Sequence, residues 1–431
     1  MIQRSRRLGV FVGWGIGLGI ALSGLASCGN PSSTESDTSG TQEVEFWTMQ
    51  LQPNYTDYFN QLIADFEAEN PGTTVRWVDV PWGDMQNKIL ASVSAGTAPD
   101  VVNLNPDFAS QLASRNAWLP LDDKISDADK EVYLPKIWQA NTLNDASFGL
   151  PWYLTTSVTI YNQDLLEQAG VDAPPQTFEE LAIAAQKIKD ATGKYAFFIT
   201  FVATDAADVL QSLVKMGVTL VDDEGNAAFN TAEGRAAFQY WVDLYQKELI
   251  PRDVLTQGHR RGVDLYQAGE IAIVSSSPHF LDEVAKNAPS IAAVSATSPQ
   301  LTGQTGAMNV AAMNVVIPRA TDVPEEALDF ALYLTNDANQ LAFSKTSNTL
   351  PSTQGALTDA YFTAVPENAA PGDRARLVSA EQMPQAAVLV PAMEDIKQLQ
   401  KIIYENLQAA MLDVKTVDEA IADAEQEWNS R

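Results

Sequence analysis

Residues 91–104 read ASVSAGTAPDVVNL. Met85, Ile89, Leu90 and Val93 recur at helical spacing into this stretch, so its first half predicts the end of an amphipathic helix. Gly96 closes that helix, because glycine accepts the left-handed turn that ends one. Pro99 to Leu104 then predicts a short buried strand. Working outward, Val75 to Val80 predicts the strand before that helix. Asn70-Pro71-Gly72 is a stop signal. Tyr55, Phe59, Leu62, Ile63 and Phe66 predict a helix over Tyr55–Glu69, and Val44 to Met49 alternates as a first strand. Strand and helix in strict alternation define an α/β sheet with helices on its faces.

The alternation continues downstream. Thr177 and Glu180 form a capping box that opens a helix to about Asp190. Ala236–Tyr245 carries Phe238, Trp241, Val242 and Tyr245 on one face. Ile271–Val274 predicts a buried strand, and Pro324–Leu334 a helix with proline in its first turn. Met393–Leu412 predicts a long helix with a stripe at Ile396, Leu399, Ile403, Leu407 and Met411. Thr416 and Glu419 cap a last one. No repeat at solenoid periods is present.

The N-terminus carries different information. Arg4, Arg6 and Arg7 precede an apolar, glycine-dotted stretch from Leu8 to Leu22, and small residues then lead to Cys28, the single cysteine of the chain. A charged start, an apolar middle and a small-residue end are the parts of a secretory signal. A retained membrane anchor is the competing reading, since roughly 20 apolar residues span a bilayer. Leu25-Ala26-Ser27-Cys28 resembles the bacterial lipobox, which implies a signal peptide over 1–27, an acylated Cys28 and a flexible tether over 28–43.

The formal net charge is −28. A phosphate backbone repels such a surface, so nucleic acid is excluded as a partner. About 390 residues beyond the tether suffice for two domains. Catalytic groups are poorly supplied. His259 and His279 lack metal-ligand spacing, the lone cysteine is spoken for, and no phosphate-cradling glycine loop occurs. No cofactor or metal is expected.

Four stretches, in order, carry a family resemblance. They are EFWTM (45–49) with FEAENPGTTV (66–75); ASVSAGTAPDVVNL; FGLPWYLTTSVTIYNQDLLEQAGVDAPPQTFEEL (148–181); and YQAGEIAIVSSSPHF (266–280). Together the chain resembles the extracellular solute-binding proteins of ABC importers, the sugar-binding group that includes maltose-binding protein. The resemblance implies a two-lobed periplasmic-binding-protein fold of α/β class, type II-like. Hinge crossovers would join the lobes, with ligand in the cleft. Lobe one would comprise 44–153 and 293–335, and lobe two 154–292 and 336–431. It further implies a monomer that delivers a carbohydrate to permease subunits and touches the membrane only through its lipid anchor.

A carbohydrate cleft pairs flat aromatics, for the C–H faces of the sugar, with polar groups for its hydroxyls. Strand ends are the place to look. Trp47 has two open readings, core or cleft, whereas Gln50 just beyond reads as a ligand contact. Trp82, between Pro81 and Gly83, is placed in a loop at the cleft. Asn105 is the ligand candidate after the third strand, and Asp107 a candidate for ligand or for helix cap. Trp152 and Tyr153 sit where the first crossover begins, and adjacent strand residues face opposite ways, so at most one points to the cleft. Phe201 reads as core or cleft. His279 stands near a position where the family commonly has tryptophan. Gly306, Asn309 and Arg374 complete the candidates. A binding protein for a glycerol-phosphate-type or other small solute and a lipid-anchored glycoside hydrolase are the alternative functions.

Overall fold

The computed structural model describes residues 41–143, 146–390, 393 and 395–431, with the side chain of Asp107 excepted. Cys28 and the lipobox lie outside them.

The first lobe begins as the alternation demands. Strand β1 (Gln42–Met49) leads to helix Thr56–Glu69, β2 (Thr73–Val80), helix Trp82–Ala95 and β3 (Val101–Leu104). β1 runs parallel to both β2 and β3. Helix Trp82–Ala95 ends on Gly96 at φ 68°, where a side chain would be strained. Trp82, expected in a loop, is the first residue of that helix, because Pro81 before it sets the entry.

β4 (Leu150–Thr155) carries the chain out to the second lobe, which is built on β5 (Val158–Asn162), β6 (Tyr195–Phe197), β7 (Ile271–Ser276) and β8 (Ser295–Ser298). These pair in the order β8-β5-β7-β6, with β6 parallel to β7 and the other pairs antiparallel. The return passes through β9 (Met308–Asn309) into β10 (Ala311–Val316), which lies antiparallel to β3 and β4. Helices Pro324–Leu334 and Asp337–Ser347 and the short β11 (Leu350–Pro351) complete the first lobe. Its sheet order is β11-β4-β10-β3-β1-β2. The chain then crosses again; β12 (Ala386–Ala387) pairs with β9, and helices Ile396–Met411 and Val417–Asn429 finish the second lobe.

Two hydrophobic cores result, one from Val44 to Phe343 around the six-stranded sheet and one from Val158 to Trp428 around the four-stranded sheet. A smaller cluster, with Ile137, Leu154, Val310 and Met383, lies where the crossings gather. Lobe membership differs from expectation at two places. β8 pairs with β5, so residues 295–298 belong to the second lobe. Helix Asp337–Ser347 packs through Phe343 into the first lobe, and β11 pairs with β4 there. Register and packing decide these memberships, and neither is visible in local periodicity.

Candidate functional site

The parallel strands β2, β1 and β3 all end at one edge, and that edge collects the loops bearing Gln50, Trp82 and Asn105. Gln50 takes a left-handed backbone at φ 52°, and its Oε1 accepts the backbone N–H of Trp82 at 3.1 Å. It thereby caps a helix whose N-cap, Pro81, offers no side-chain acceptor. Trp82 is left 44 % exposed, among the few large apolar side chains on the surface. Asn105 is the N-cap of helix Pro106–Ala113, accepting from Phe108 N at 2.9 Å. The cap expected of Asp107 therefore belongs to Asn105. Asp107 lies in the first turn of this helix, and its side chain is outside the description.

Beside Asn105 opens a cavity of about 190 Å³ walled by both lobes. The first lobe contributes Asn105, Ser110, Asn141, Phe148 and Asn314; the second contributes Ala207, Gln211, Ile396, Lys397 and Gln400. Asn309 to Ala312, in a crossing segment, form part of its lining. Gln400 is fully buried, and its Nε2 donates to the carbonyls of Asp205 and Ala206 at 3.1 and 3.2 Å. Those two acceptors fix the amide's orientation, which leaves Oε1 with no partner among the described residues. Asn314, 1 % exposed on β10, likewise has an unpartnered Oδ1. An unpaired buried acceptor costs about 1–3 kcal/mol. Two of them, one from each lobe, belong to residues that line this one cavity.

Gln211 also lines a smaller chamber of about 40 Å³, set into the second lobe with Asp208, Lys215 and His259. Burial drives the Lys215 ammonium down to about 8, partly opposed by Asp208. Burial raises Asp208, against His259 and Lys215, which favour its charge.

The aromatic expectations fare differently. Trp152 has no exposed surface; it stacks on Phe343 at 5.0 Å and 22° and meets Phe46 edge-on. Tyr153 is buried against the same Phe343. Both neighbours on β4 are buried because helices cover both faces of this sheet, so alternation hides each in turn. Trp47 is buried too, with Nε1 on Glu45 and Lys88 Nζ 4.1 Å from its ring centre. Phe201 packs between Trp241 and Tyr404 in the second core. None of these four is available to stack on a ligand; Phe148 lines the cavity but is itself buried, and Trp82 alone of the aromatics named is exposed at this edge.

His279 lies away from this cavity. It is largely exposed, 3.4 Å from Asp282, and lines a separate space of about 220 Å³ with Arg376 and Thr349. Arg374 is a surface residue whose Nη2 donates to Glu367 O at 2.8 Å. Gly306 occupies a turn at φ 64° with open space where a Cβ would stand, so the turn rather than a close approach calls for glycine. Asn309 does reach the cavity, with Oδ1 accepting from Leu389 N at 3.2 Å. Of the candidates, Asn105 and Asn309 meet there. Gln400, Asn314, Gln211 and Phe148 escaped the sequence reading. Gln400 left a trace, being a polar residue four positions after Ile396 on a mostly apolar buried face.

Among the described residues no helix is long and apolar enough to cross a membrane, and no group of three or more His, Cys, Asp or Glu could hold a metal. Two lobes walling one cavity are the arrangement of a solute-binding protein. Residues 52–341 match the bacterial extracellular solute-binding protein family, and the chain belongs to it. It is a binding protein and not an enzyme. It is similar to a candidate oligosaccharide periplasmic-binding protein of Synechococcus sp. MITs9220, at 42 % identity and TM-score 0.82 over 90 % of this chain and 98 % of that one. It is 25 % identical over 313 residues to an arabinooligosaccharide-binding protein of Halalkalibacterium halodurans, covering 69 % of this chain and 68 % of the other. The cyclic alpha-maltosyl-1,6-maltose binding protein of Arthrobacter globiformis shares the fold at TM-score 0.78 and 23 % identity, over 91 % of this chain and 99 % of that one.

Proposed function

We propose that this chain is the substrate-binding lipoprotein of an ABC importer, and that it captures a neutral sugar or oligosaccharide by lobe closure for delivery to a membrane permease. The observation that carries the ligand class is the pair of unpartnered amide oxygens, Asn314 Oδ1 and Gln400 Oε1, on one cavity. A sugar hydroxyl donates to such an oxygen. A dianionic phosphate ester has no proton for them at its charged end, and brings charge to an acidic chain. The binding of arabinooligosaccharide and of cyclic maltosyl-maltose by the similar proteins supports the carbohydrate reading. Closure follows from the two-sided wall: a ligand that touches both lobes stabilises the state in which both contacts are made.

A thermal-shift screen tests this. Ligand at a hundredfold its Kd, bound only by the folded state, adds about 2.7 kcal/mol of stability. Neutral sugars are expected to raise Tm; a rise with phosphate esters alone overturns the assignment. Trp82→Ala is expected to leave stability within about 0.5 kcal/mol, as surface changes do. It should weaken binding of the sugar found in the screen, and undiminished affinity by calorimetry removes Trp82 from the site.

The lipobox at Leu25–Cys28 supports an acylated Cys28 holding the protein at the outer face of the plasma membrane, with residues 28–43 as tether. Cys28→Ser should move the protein from the membrane fraction to the soluble fraction. Continued membrane attachment of that variant argues against acylation.

A further inference from the structure

We propose that Lys215 and Gln300 couple occupancy of the cleft to the angle between the lobes, an inference that rests on the sugar-capture reading above. Gln300 is buried where the crossing segments meet. Its Nε2 donates to Thr156 Oγ1 at 2.7 Å and to Asn309 O at 2.8 Å. Its Oε1 accepts from Lys215 Nζ at 2.8 Å and from Asn309 N at 3.0 Å. Its backbone N–H donates to Gln382 Oε1 at 2.8 Å. Thr156 lies in the first crossing between β4 and β5, Asn309 in the second, and Gln382 just before β12, which pairs with β9. One residue thus ties together two crossings and the approach to β12. With both N–H groups and both lone pairs engaged, Gln300 has no hydrogen-bonding capacity left for a ligand, so it is a positioning residue.

Lys215 connects this fastener to the cleft. It ends helix Asp208–Lys215, whose first turns supply Asp208 and Gln211 to the cavity walls. Nζ donates to Gln300 Oε1 and, at 3.0 Å, to Leu301 O. Its third N–H has no acceptor among the described residues, although the side chain lines the chamber with Asp208 and His259. The main chain is clamped as well. Thr305 Oγ1 donates to Lys215 O at 3.2 Å, and a Cβ on Gly303 would come within 2.3 Å of that oxygen, so only glycine fits. Segment 300–305 is therefore bound to the end of a helix that walls the cleft. A hydroxyl of the occupant that reaches past Gln211, which lines both the cavity and the chamber, to the third N–H of Lys215 shifts the ammonium relative to Gln300, and Gln300 passes the shift to the crossings at Thr156 and Asn309. Coupling of this kind usually amounts to roughly 5- to 150-fold in affinity.

The experiment compares wild type, Lys215→Met, Gln300→Leu, Gln300→Glu and the double variant Lys215→Met/Gln300→Leu. Affinity for the sugar found by the screen is read by calorimetry, and ligand-induced compaction by small-angle X-ray scattering. Each single variant is expected to weaken affinity at least fivefold and to reduce the compaction. The double variant should be no weaker than the worse single one, because both sever the same link. Gln300→Glu keeps the shape and the acceptor for Lys215 but loses both donors to the crossings, and so covers the case in which Gln300→Leu does not fold; it should weaken affinity and compaction as Gln300→Leu does. Additive losses, or compaction unchanged in all variants while wild type compacts, overturn this inference alone. A wild-type protein that neither binds nor compacts overturns the capture reading and this inference with it.

Discussion

Trp152→Ala should lower the free energy of unfolding by about 3–5 kcal/mol, the usual cost of deleting a large aromatic from a core. The ring lies flat on Phe343 and edge-on to Phe46, Phe59 and Tyr153. No solvent reaches it, so the variant leaves a hole that these neighbours cannot all collapse to fill. Urea denaturation measures the loss as a lower midpoint. The folded fraction should bind sugar with wild-type affinity. Trp152→Phe is expected to lose less, because it keeps much of the stacking area and removes an indole Nε1 that has no partner among the described residues. A Trp152→Ala protein of ordinary stability that no longer binds sugar would return this residue to the cleft.

Gln400→Leu is expected to weaken sugar binding by roughly 5- to 150-fold, corresponding to about 1–3 kcal/mol for a buried hydrogen bond lost at one end. Leucine removes the unpartnered acceptor and also strands the carbonyl of Asp205, while that of Ala206 keeps the Tyr404 hydroxyl at 2.9 Å, so some loss of stability accompanies it. Asn314→Ala removes the opposing acceptor from the first lobe and should weaken binding by a comparable factor, with less effect on the second core. The two losses separate in a titration run beside a denaturation curve. Sugar affinity unchanged in both variants would remove the paired-oxygen site, while the fold would stand.

Both lobes were legible where signals are local. Gly96 ends its helix in the left-handed region, and Thr177 with Glu180 and Thr416 with Glu419 form the reciprocal caps their spacing announces. The strand–helix alternation from Val44 to Leu104 became three parallel strands, as short connections through helices require. What stayed hidden depends on pairing across long separations. Nothing near Ser295 says that its partner is Asn162, and nothing near Gln400 says that its free oxygen will share a cavity with Asn314. The aromatic candidates went astray for a further reason. Tryptophan beside a strand end suits a sugar face and a doubly covered sheet equally well, and periodicity does not report which layer lies above it. Polar residues set in apolar runs, such as Asn314 in AAMNVV, were the better guide to the site.

The interleaving of the two lobes bears on how the protein is made. The first core needs Phe343 as well as Val44, and the second needs Trp428, whose indole donates to Gly225 O at 2.9 Å. A nascent chain leaving the ribosome can finish neither half until its distant segments follow, and the second waits for almost the last turn of helix. Pairings so remote in sequence form slowly. The delay suits the export that the proposed signal over 1–27 calls for: it would keep the polypeptide threadable through a channel and leave its final consolidation to the far side.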